Sequence, residues 1–232
     1  VHKNTIEKFG DIDTLGNQWT RPGNFVGNGP FTLEEWKLNQ VIKVKKSENY
    51  WDAKRVKLNE IHFLPIDNVT REDFMFRSGR LHITGSVPTE KIEVYKSENP
   101  KLINITPYYG TYYYRLNINK KPLDQKLVRK ALSLAIDREK ITDKVAKGGQ
   151  IPAYSFTPPD LNAYNPPTRL DFDPEKARKL MREAGFEGDN LPTIELLYNT
   201  SEGHQKIAEA LQQMWKQILG IDIVLTNTDW KV

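Results

Sequence analysis

Two helix-length apolar stripes, set among shorter strand-like runs, restrict this chain to a fold that mixes helices with a sheet. Across residues 207–219 apolar side chains recur three or four positions apart, the spacing of one buried helix face, and Gly220 ends the run. Strand-like runs at 194–198 and 221–225 flank this helix, and a second apolar stripe covers 123–136. This alternation of strand and helix indicates an α/β or mixed sheet.

The other predicted elements follow from local signals of the same kind. A turn cluster at 26–30 precedes a hairpin with strands 31–36 and 41–45. Asp124 is a plausible N-cap of the helix in 123–136, and Asp173 with Pro174 opens another helix that ends at Gly185. The remaining predictions are strands 61–64 and 81–83, helices 69–77, 88–99 and 138–147, and a surface excursion over 151–174.

Charge and residue counts exclude several function classes. The 232 residues hold 34 Lys and Arg against 30 Asp and Glu, and this net charge of +4 is spread along the sequence, which does not favour nucleic-acid binding. Cysteine is absent, so disulfides, thiol nucleophiles and Cys-type zinc sites are excluded. The four histidines lie far apart without an i, i+4 partner, and we therefore expect neither a metal site nor a cofactor.

Motifs that carry catalysis are also missing from the sequence. It has no Gly-x-Ser-x-Gly elbow and no Gly-x-x-x-x-Gly-Lys phosphate loop, and its acidic pairs are scattered over predicted helix faces. Carboxylates that are distant in sequence can still assemble into a dyad, so an enzyme remains an alternative. No apolar run approaches the roughly 20 residues of a spanning helix.

A tyrosine-rich segment is the first feature with a functional interpretation. Residues 108–119 are predicted as a strand, in which Tyr112 and Tyr114 share one face while Tyr113 and Arg115 share the other. One face would be core, and the other would offer hydroxyls and a cation to a partly wet binding wall. The simpler alternative is aromatic filling of a sheet face.

The second feature lies where a strand leads into the C-terminal helix. Ser201 can cap this helix, which places Asn199 and His204 beside free backbone N–H groups. The positive end of a helix dipole attracts anions, and a ligand carboxylate would suit that position. The ordinary alternative is a serine cap with a solvated histidine in the first turn.

Several motifs together resemble one known family. Residues 26–36, followed by 47–51, and the helix 128–138 are similar in content, order and spacing to stretches of the extracytoplasmic solute-binding proteins (family 5) of peptide ABC importers. Residues 111–114, 152–159 and 197–201 resemble the oligopeptide-binding branch. The resemblance covers nearly the whole chain.

The resemblance implies a fold and a function. The fold would be α/β and periplasmic-binding-protein type II-like, with two mixed-sheet lobes that are incomplete in this chain: residues 1–109 are part of the first lobe and 110–232 begin the second. The chain starts with Val1 and is expected to be a middle fragment. The implied activity is reversible, non-enzymatic binding of short peptides between the lobes and their delivery to a membrane ABC permease. We expect a periplasmic or otherwise extracytoplasmic monomer, with or without a lipid anchor.

Ligand contacts are carried over from the family position by position. They are Thr84, Gly85, Ser86, Tyr108, Tyr113, Arg115, Asn199 and His204. In the resemblance, Asn199 and His204 lie near the peptide's C-terminal end. Thr84 and Gly85 replace larger residues, which would widen a pocket.

Three departures from the family pattern affect this picture. Arg115 stands where close relatives have an acidic residue, so the charge preference of that subsite is expected to be reversed. Gly110 occupies a position that is cysteine in some members. The aspartate that anchors the peptide's amine in the family lies beyond Val232, and we expect the isolated fragment to bind poorly. The open alternatives are a relative with another cargo (cell-wall peptide, haem or nickel) and a peptidase.

Overall fold

The computed structural model describes residues 2–11, 13, 16–106, 108–158, 164, 166–167 and 169–229. The chain divides into two compact units, Val1–Ile66 and Asp67–Val232. The strands are β1 (Phe31–Lys37), β2 (Val41–Lys46), β3 (Glu60–Phe63), β4 (Thr193–Asn199) and β5 (Asp222–Thr228). The α-helices are α1 (Lys3–Glu7), α2 (Val69–Arg77), α3 (Ile92–Glu98), α4 (Lys126–Leu134), α5 (Arg138–Lys140), α6 (Pro174–Glu183) and α7 (Glu202–Leu219).

The first unit is built on the predicted hairpin. β1 and β2 pair antiparallel, with Phe31 opposite Lys46, and β3 pairs antiparallel with the other edge of β2. The turn between β1 and β2 contains Asn39 at φ 57°, a left-handed conformation that asparagine tolerates better than most residues. The hairpin and the short third strand are therefore confirmed, each within one residue.

The second unit is centred on two parallel strands that α7 connects. β4 pairs with β5 in parallel, with Ile194 opposite Ile223; α7 packs on both strands, α6 packs on α7, and α4 packs on α6. The core side chains are apolar and buried, and Trp215 from α7 donates its indole N–H to the carbonyl of Leu132 on α4 at 2.9 Å. Both apolar stripes thus form the core, because each presents one buried face. Among the described residues, no helix has the length and apolar character needed to cross a bilayer.

Helix ends largely follow the local signals. Asp173 accepts from the backbone N–H of Lys176 at the start of α6, and Gly185 follows this helix at φ 85°. The predicted cap of α4 is wrong: Gln125 is the N-cap residue and makes no side-chain capping bond. Asp124 instead lies in the preceding turn, where its backbone N–H donates to the carbonyl of Lys120.

Two predicted strands are absent from the described residues. Residues 81–83 follow the last turn of α2, and the N–H of Leu81 donates back to the carbonyl of Met75. The tyrosine segment, residues 108–119, has no strand paired with it in the described part of the chain. Aromatic and alternating residues favour extended backbone, but a strand also requires a partner for its hydrogen bonds.

The long excursion before α6 is irregular in its described part, as predicted. Residues 159–163, 165 and 168 of that excursion lie outside the described residues. Tyr154 contacts two cations: Cζ of Arg138 lies 5.4 Å and Cζ of Arg169 lies 4.1 Å from the centroid of its ring. These cation–π contacts fix the start of the excursion to the region after α4.

Candidate functional site

The first turn of α7 presents a histidine that is held by its neighbours. Ser201 accepts the backbone N–H of His204 at 3.4 Å, which confirms the predicted cap. Nδ1 of His204 donates to the side-chain oxygen of Asn199, the last residue of β4, at 2.6 Å. Because that oxygen only accepts hydrogen bonds, the proton of the neutral ring lies on Nδ1 and Nε2 carries the lone pair.

Two tyrosines form a wall beside this histidine. The ring centroids of Tyr112 and His204 lie 4.9 Å apart, and the two ring planes are inclined at 31°. Tyr112 meets Tyr114 edge-on at 5.5 Å, and its hydroxyl donates to the hydroxyl of Tyr114 at 3.2 Å. Tyr114 in turn packs against the core of the second unit. The core therefore positions Tyr114, Tyr114 positions Tyr112, and Tyr112 covers the imidazole.

The electrostatics of this cluster favour uncharged side chains. Burial lowers the pKa of His204, because a desolvated imidazolium loses the hydration of its charge. Burial also raises the pKa of Tyr112 and of Tyr114. At neutral pH the cluster offers neutral groups. A ligand carboxylate that met Nε2 would stabilise the imidazolium and draw a proton onto the ring.

The other face of the tyrosine segment forms a separate stack, which we call the exposed stack because of its Phe156 ring. The guanidinium of Arg115 lies 6.0 Å from the ring of Tyr113, and this ring meets Phe156 edge-on at 4.9 Å. Tyr113 is 47% and Phe156 69% exposed. Arg115 thus shares a surface with aromatic rings, whereas Tyr112 faces His204.

Tyr108 lies at the exposed end of this segment, where 90% of its surface is accessible. Its ring lies over Gly110: a Cβ added there would come 2.3 Å from Cε1 of Tyr108. Non-bonded carbon atoms do not come that close, so the present orientation of Tyr108 depends on glycine at position 110.

The predicted loop Thr84–Ser86 is attached to α2. The backbone N–H of Gly85 donates to Oε1 of Glu72 at 2.7 Å. Thr84 is half-buried, and Gly85 and Ser86 are exposed. A Cβ added at Gly85 would meet the carboxylate oxygen at 3.7 Å, an ordinary contact, so this glycine is not required by the backbone here.

The first two turns of α7 also bind the segment that carries this loop. Oε1 of Glu202 accepts from the side-chain amide of Asn68 at 2.6 Å. Nζ of Lys206 lies 3.1 Å from Oε2 of Glu90 and 3.2 Å from the hydroxyl of Thr89. The pKa of Glu90 is lowered by its own backbone N–H and by Lys206.

The structure thus brings together only some of the predicted ligand residues. Asn199 and His204 are in direct contact, and Tyr113 and Arg115 form the second stack. Sequence reasoning missed Tyr112 and Phe156 as site residues. Alternation along the segment had placed Tyr112 beside Tyr114, but nothing in the sequence connected either ring to His204.

The described residues form no recognisable metal site. No group of three or more His, Cys, Asp or Glu side chains in that part of the chain is placed to hold a metal ion. The polar groups at the site are one imidazole, amides and hydroxyls, which suit recognition of carboxylate and peptide groups.

Comparison with known sequences agrees with this chemistry. The family model described as bacterial extracellular solute-binding proteins, family 5 Middle, matches residues 4–232. The periplasmic oligopeptide-binding protein OppA of Escherichia coli is 39% identical, over 100% of this chain and 43% of that protein. OppA of Bacillus subtilis is 36% identical over 90% of this chain and 40% of that protein. The chain therefore spans less than half the length of these relatives.

Solved structures give the same answer for the fold. The E. coli murein tripeptide-binding protein MppA matches with a TM-score of 0.90 at 35% identity, over 100% of this chain and 45% of that one. The unliganded open form of MppA matches over the same shares with a TM-score of 0.55. Haemophilus influenzae OppA in complex with the peptide RPPGFSPFR matches with a TM-score of 0.82 at 34% identity, over 100% of this chain and 46% of that one.

Proposed function

The chain belongs to the bacterial extracellular solute-binding proteins, family 5, and from that premise we propose that the protein containing it binds short peptides reversibly and delivers them to an ABC-type permease. Residues 1–109 are assigned to the first lobe and residues 110–232 to the beginning of the second. The peptide lies between the lobes and leaves unchanged. The observation that carries this proposal is the cluster of His204, Asn199 and Tyr112 at the first turn of α7.

In this proposal, the cluster receives the C-terminal carboxylate of the peptide. The N-terminus of α7 contributes the positive end of an 18-residue helix. Nδ1 of His204 is already bonded to Asn199, so Nε2 is the atom that donates to the carboxylate once the ring is charged. Such a site recognises a group that every free peptide carries, which fits a protein that accepts many sequences.

The exposed stack serves a different purpose. In this proposal Arg115, whose guanidinium contacts the ring of Tyr113, meets a side chain of the peptide rather than its backbone. A cation on an aromatic surface that is open to water favours an acidic side chain without excluding others. Tyr108 and the Thr84–Ser86 loop supply the remaining proposed contacts.

The proposed compartment and the alternative cargo are taken from the names of similar proteins. The E. coli relatives OppA and MppA are named as periplasmic, and we propose a periplasmic or otherwise extracytoplasmic location for this protein, either free or lipid-anchored, as a monomer. MppA is named for murein peptides, so a cell-wall peptide is the alternative cargo that the similarity itself supports.

Calorimetry on the complete protein tests the proposal. Mixed short peptides and a murein tripeptide are titrated separately, and the titrated samples are then analysed by mass spectrometry. The expected result is saturable binding of the mixed peptides with every peptide recovered intact. Cleavage products would favour the peptidase alternative, and binding of the murein tripeptide alone would reassign the cargo.

A further inference from the structure

The segment that carries the Thr84–Ser86 loop has its own small core. In this segment, residues 67–106, Ile92 and Tyr95 are buried, and the hydroxyl of Tyr95 donates to the buried carboxylate of Asp73 at 2.6 Å. None of its described residues belongs to the buried main core or to the partly buried apolar side chains packed against it; these are Tyr114 and residues between 123 and 225. Burial in the main core therefore does not hold the loop-bearing segment in place.

Polar contacts to α7 do connect the two parts. Glu202 accepts from Asn68, and Lys206 binds Glu90 and Thr89. Glu202 and Lys206 are four residues apart and lie on one face of the helix, on either side of His204 in sequence. The ligand histidine and both connecting residues thus move with one rigid helix end.

The same contacts lead to the loop. Asn68 caps α2, since its side-chain oxygen accepts from the backbone N–H of Arg71 at 2.7 Å. Glu72, one turn further along α2, holds the N–H of Gly85. An unbroken path of hydrogen bonds and helix backbone therefore runs from Glu202 to the proposed ligand loop.

Two structures of one relative differ in their match to this chain. MppA gives a TM-score of 0.90 in one structure and 0.55 in its unliganded open form, at the same 35% identity and the same coverage. This chain is therefore more similar to the first of these two structures than to the open form.

We propose that Glu202 and Lys206 are positioning residues that latch the loop-bearing segment onto the first turns of α7 and so hold the two sides of the ligand site together. The inference rests on the proposed function and deepens it. On the proposed division after residue 109, Asn68 and Glu90 belong to the first lobe and the latch residues to the second. A ligand that needs both sides binds more tightly when the latch raises the population of the joined state.

The expected effect is modest for each contact. Partly exposed ion pairs contribute little individually, so breaking one should weaken peptide affinity about two- to fivefold, mainly through faster dissociation. Disruption of both contacts should weaken it roughly tenfold. Neither residue touches the peptide in this proposal, so the loss should be the same for peptides with free and amidated C-termini.

A charge exchange in the complete protein tests the latch. Lys206→Glu should weaken binding and speed dissociation, and adding Glu90→Lys should restore both. Lys216→Glu is the matched control, because Lys216 pairs with Asp222 at 2.6 Å further along the same helix, away from the segment. Affinity is measured by calorimetry and dissociation by stopped-flow fluorescence.

A distance measurement separates this inference from the proposed function. The chain has no cysteine, so two introduced cysteines carry the only spin labels in it. Placed at the exposed Glu98 in the segment and Gln213 in α7, the labels report the distance between these two parts. Without peptide, Lys206→Glu should broaden or lengthen the measured distance, the exchanged pair should restore it, and Lys216→Glu should leave it unchanged. Failure of the wild type to bind any peptide would remove the proposed function, while this distance would still report on the latch.

A second pair of variants covers the case that Lys206→Glu does not fold. Asn68→Asp keeps an oxygen to cap α2 but sets a carboxylate against Glu202, and Glu202→Gln supplies a donor that restores the contact. Wild-type distance and affinity in Lys206→Glu or Asn68→Asp would overturn the latch. So would a loss that the exchanged partner does not repair or that Lys216→Glu reproduces.

Discussion

The two faces of the tyrosine segment are built in different ways. On one face, Tyr112 and Tyr114 are linked by their hydroxyls, supported by the core, and placed against His204. On the other, Tyr113 contacts both the exposed ring of Phe156 and the guanidinium of Arg115. A group fixed from behind by the core suits a ligand feature that never varies, such as a terminal carboxylate. An exposed stack tolerates side chains that vary from one peptide to the next.

Of the changes considered, removal of the His204 imidazole should have the largest effect on peptide affinity. In the complete protein, His204→Ala should weaken peptides with free C-termini about ten- to a hundredfold, the range of a hydrogen bond to a charged group, and their amides much less. Calorimetry with matched acid and amide peptides measures the difference, with Gln205→Ala on the exposed side of the same turn as control. Equal losses for acid and amide would reject the carboxylate role.

The same face should respond to pH. The free site has a lowered pKa at His204, and a bound carboxylate raises it, so binding takes up a proton. The affinity for free-carboxylate peptides should therefore rise severalfold as the pH is lowered from about 8 to about 6, because the ring in the complex gains its proton over this range. Amidated peptides and the His204→Ala variant should show a flat profile over this range; a flat profile for the free acid would contradict the model.

Removal of one tyrosine hydroxyl from each face compares how much each contributes to stability. Tyr114→Phe removes the acceptor for the hydroxyl of Tyr112 and should lower the free energy of unfolding by about 0.5–1.5 kcal/mol. Tyr113→Phe, on the exposed face, should change it by much less. Urea unfolding of both variants tests this, and equal destabilisation would mean that the two faces are supported alike.

The smallest effect is expected at the exposed stack. Arg115→Gln should reduce the preference for peptides with an acidic side chain over basic ones by about two- to fivefold, the size of a solvent-screened charge contact. Competition among otherwise identical peptides measures the ratio, and Lys216→Gln, remote from the stack, is a charge-matched control. A wild-type protein that is indifferent to the charge of the peptide would remove the role of Arg115.

Local signals predicted most of the regular structure. The bounds of α2, Val69–Arg77, match the prediction, and the caps at Asp173 and Ser201 bind as expected. These features depend on residues within a few positions of one another. The strand predicted for residues 108–119 was wrong because an extended conformation is local whereas strand pairing is not.

The candidate site was predicted in part for the same reason. Asn199 and His204 are five residues apart across a strand-to-helix junction, and their contact follows from the cap geometry. Tyr112 reaches His204 from a distant part of the sequence, and Phe156 reaches Tyr113 from an irregular excursion. No periodicity or motif encodes such contacts.

The sequence by itself determined the core helices, the strand–helix–strand order around α7 and the family, because apolar spacing, caps and motif order are properties of the chain. Only the tertiary structure decided which tyrosine faces His204 and which residues tie Asn68 and Glu90 to α7. The physical reason is that side-chain contacts between distant segments depend on how the packed elements are placed, and many sequences with the same local pattern could place them differently.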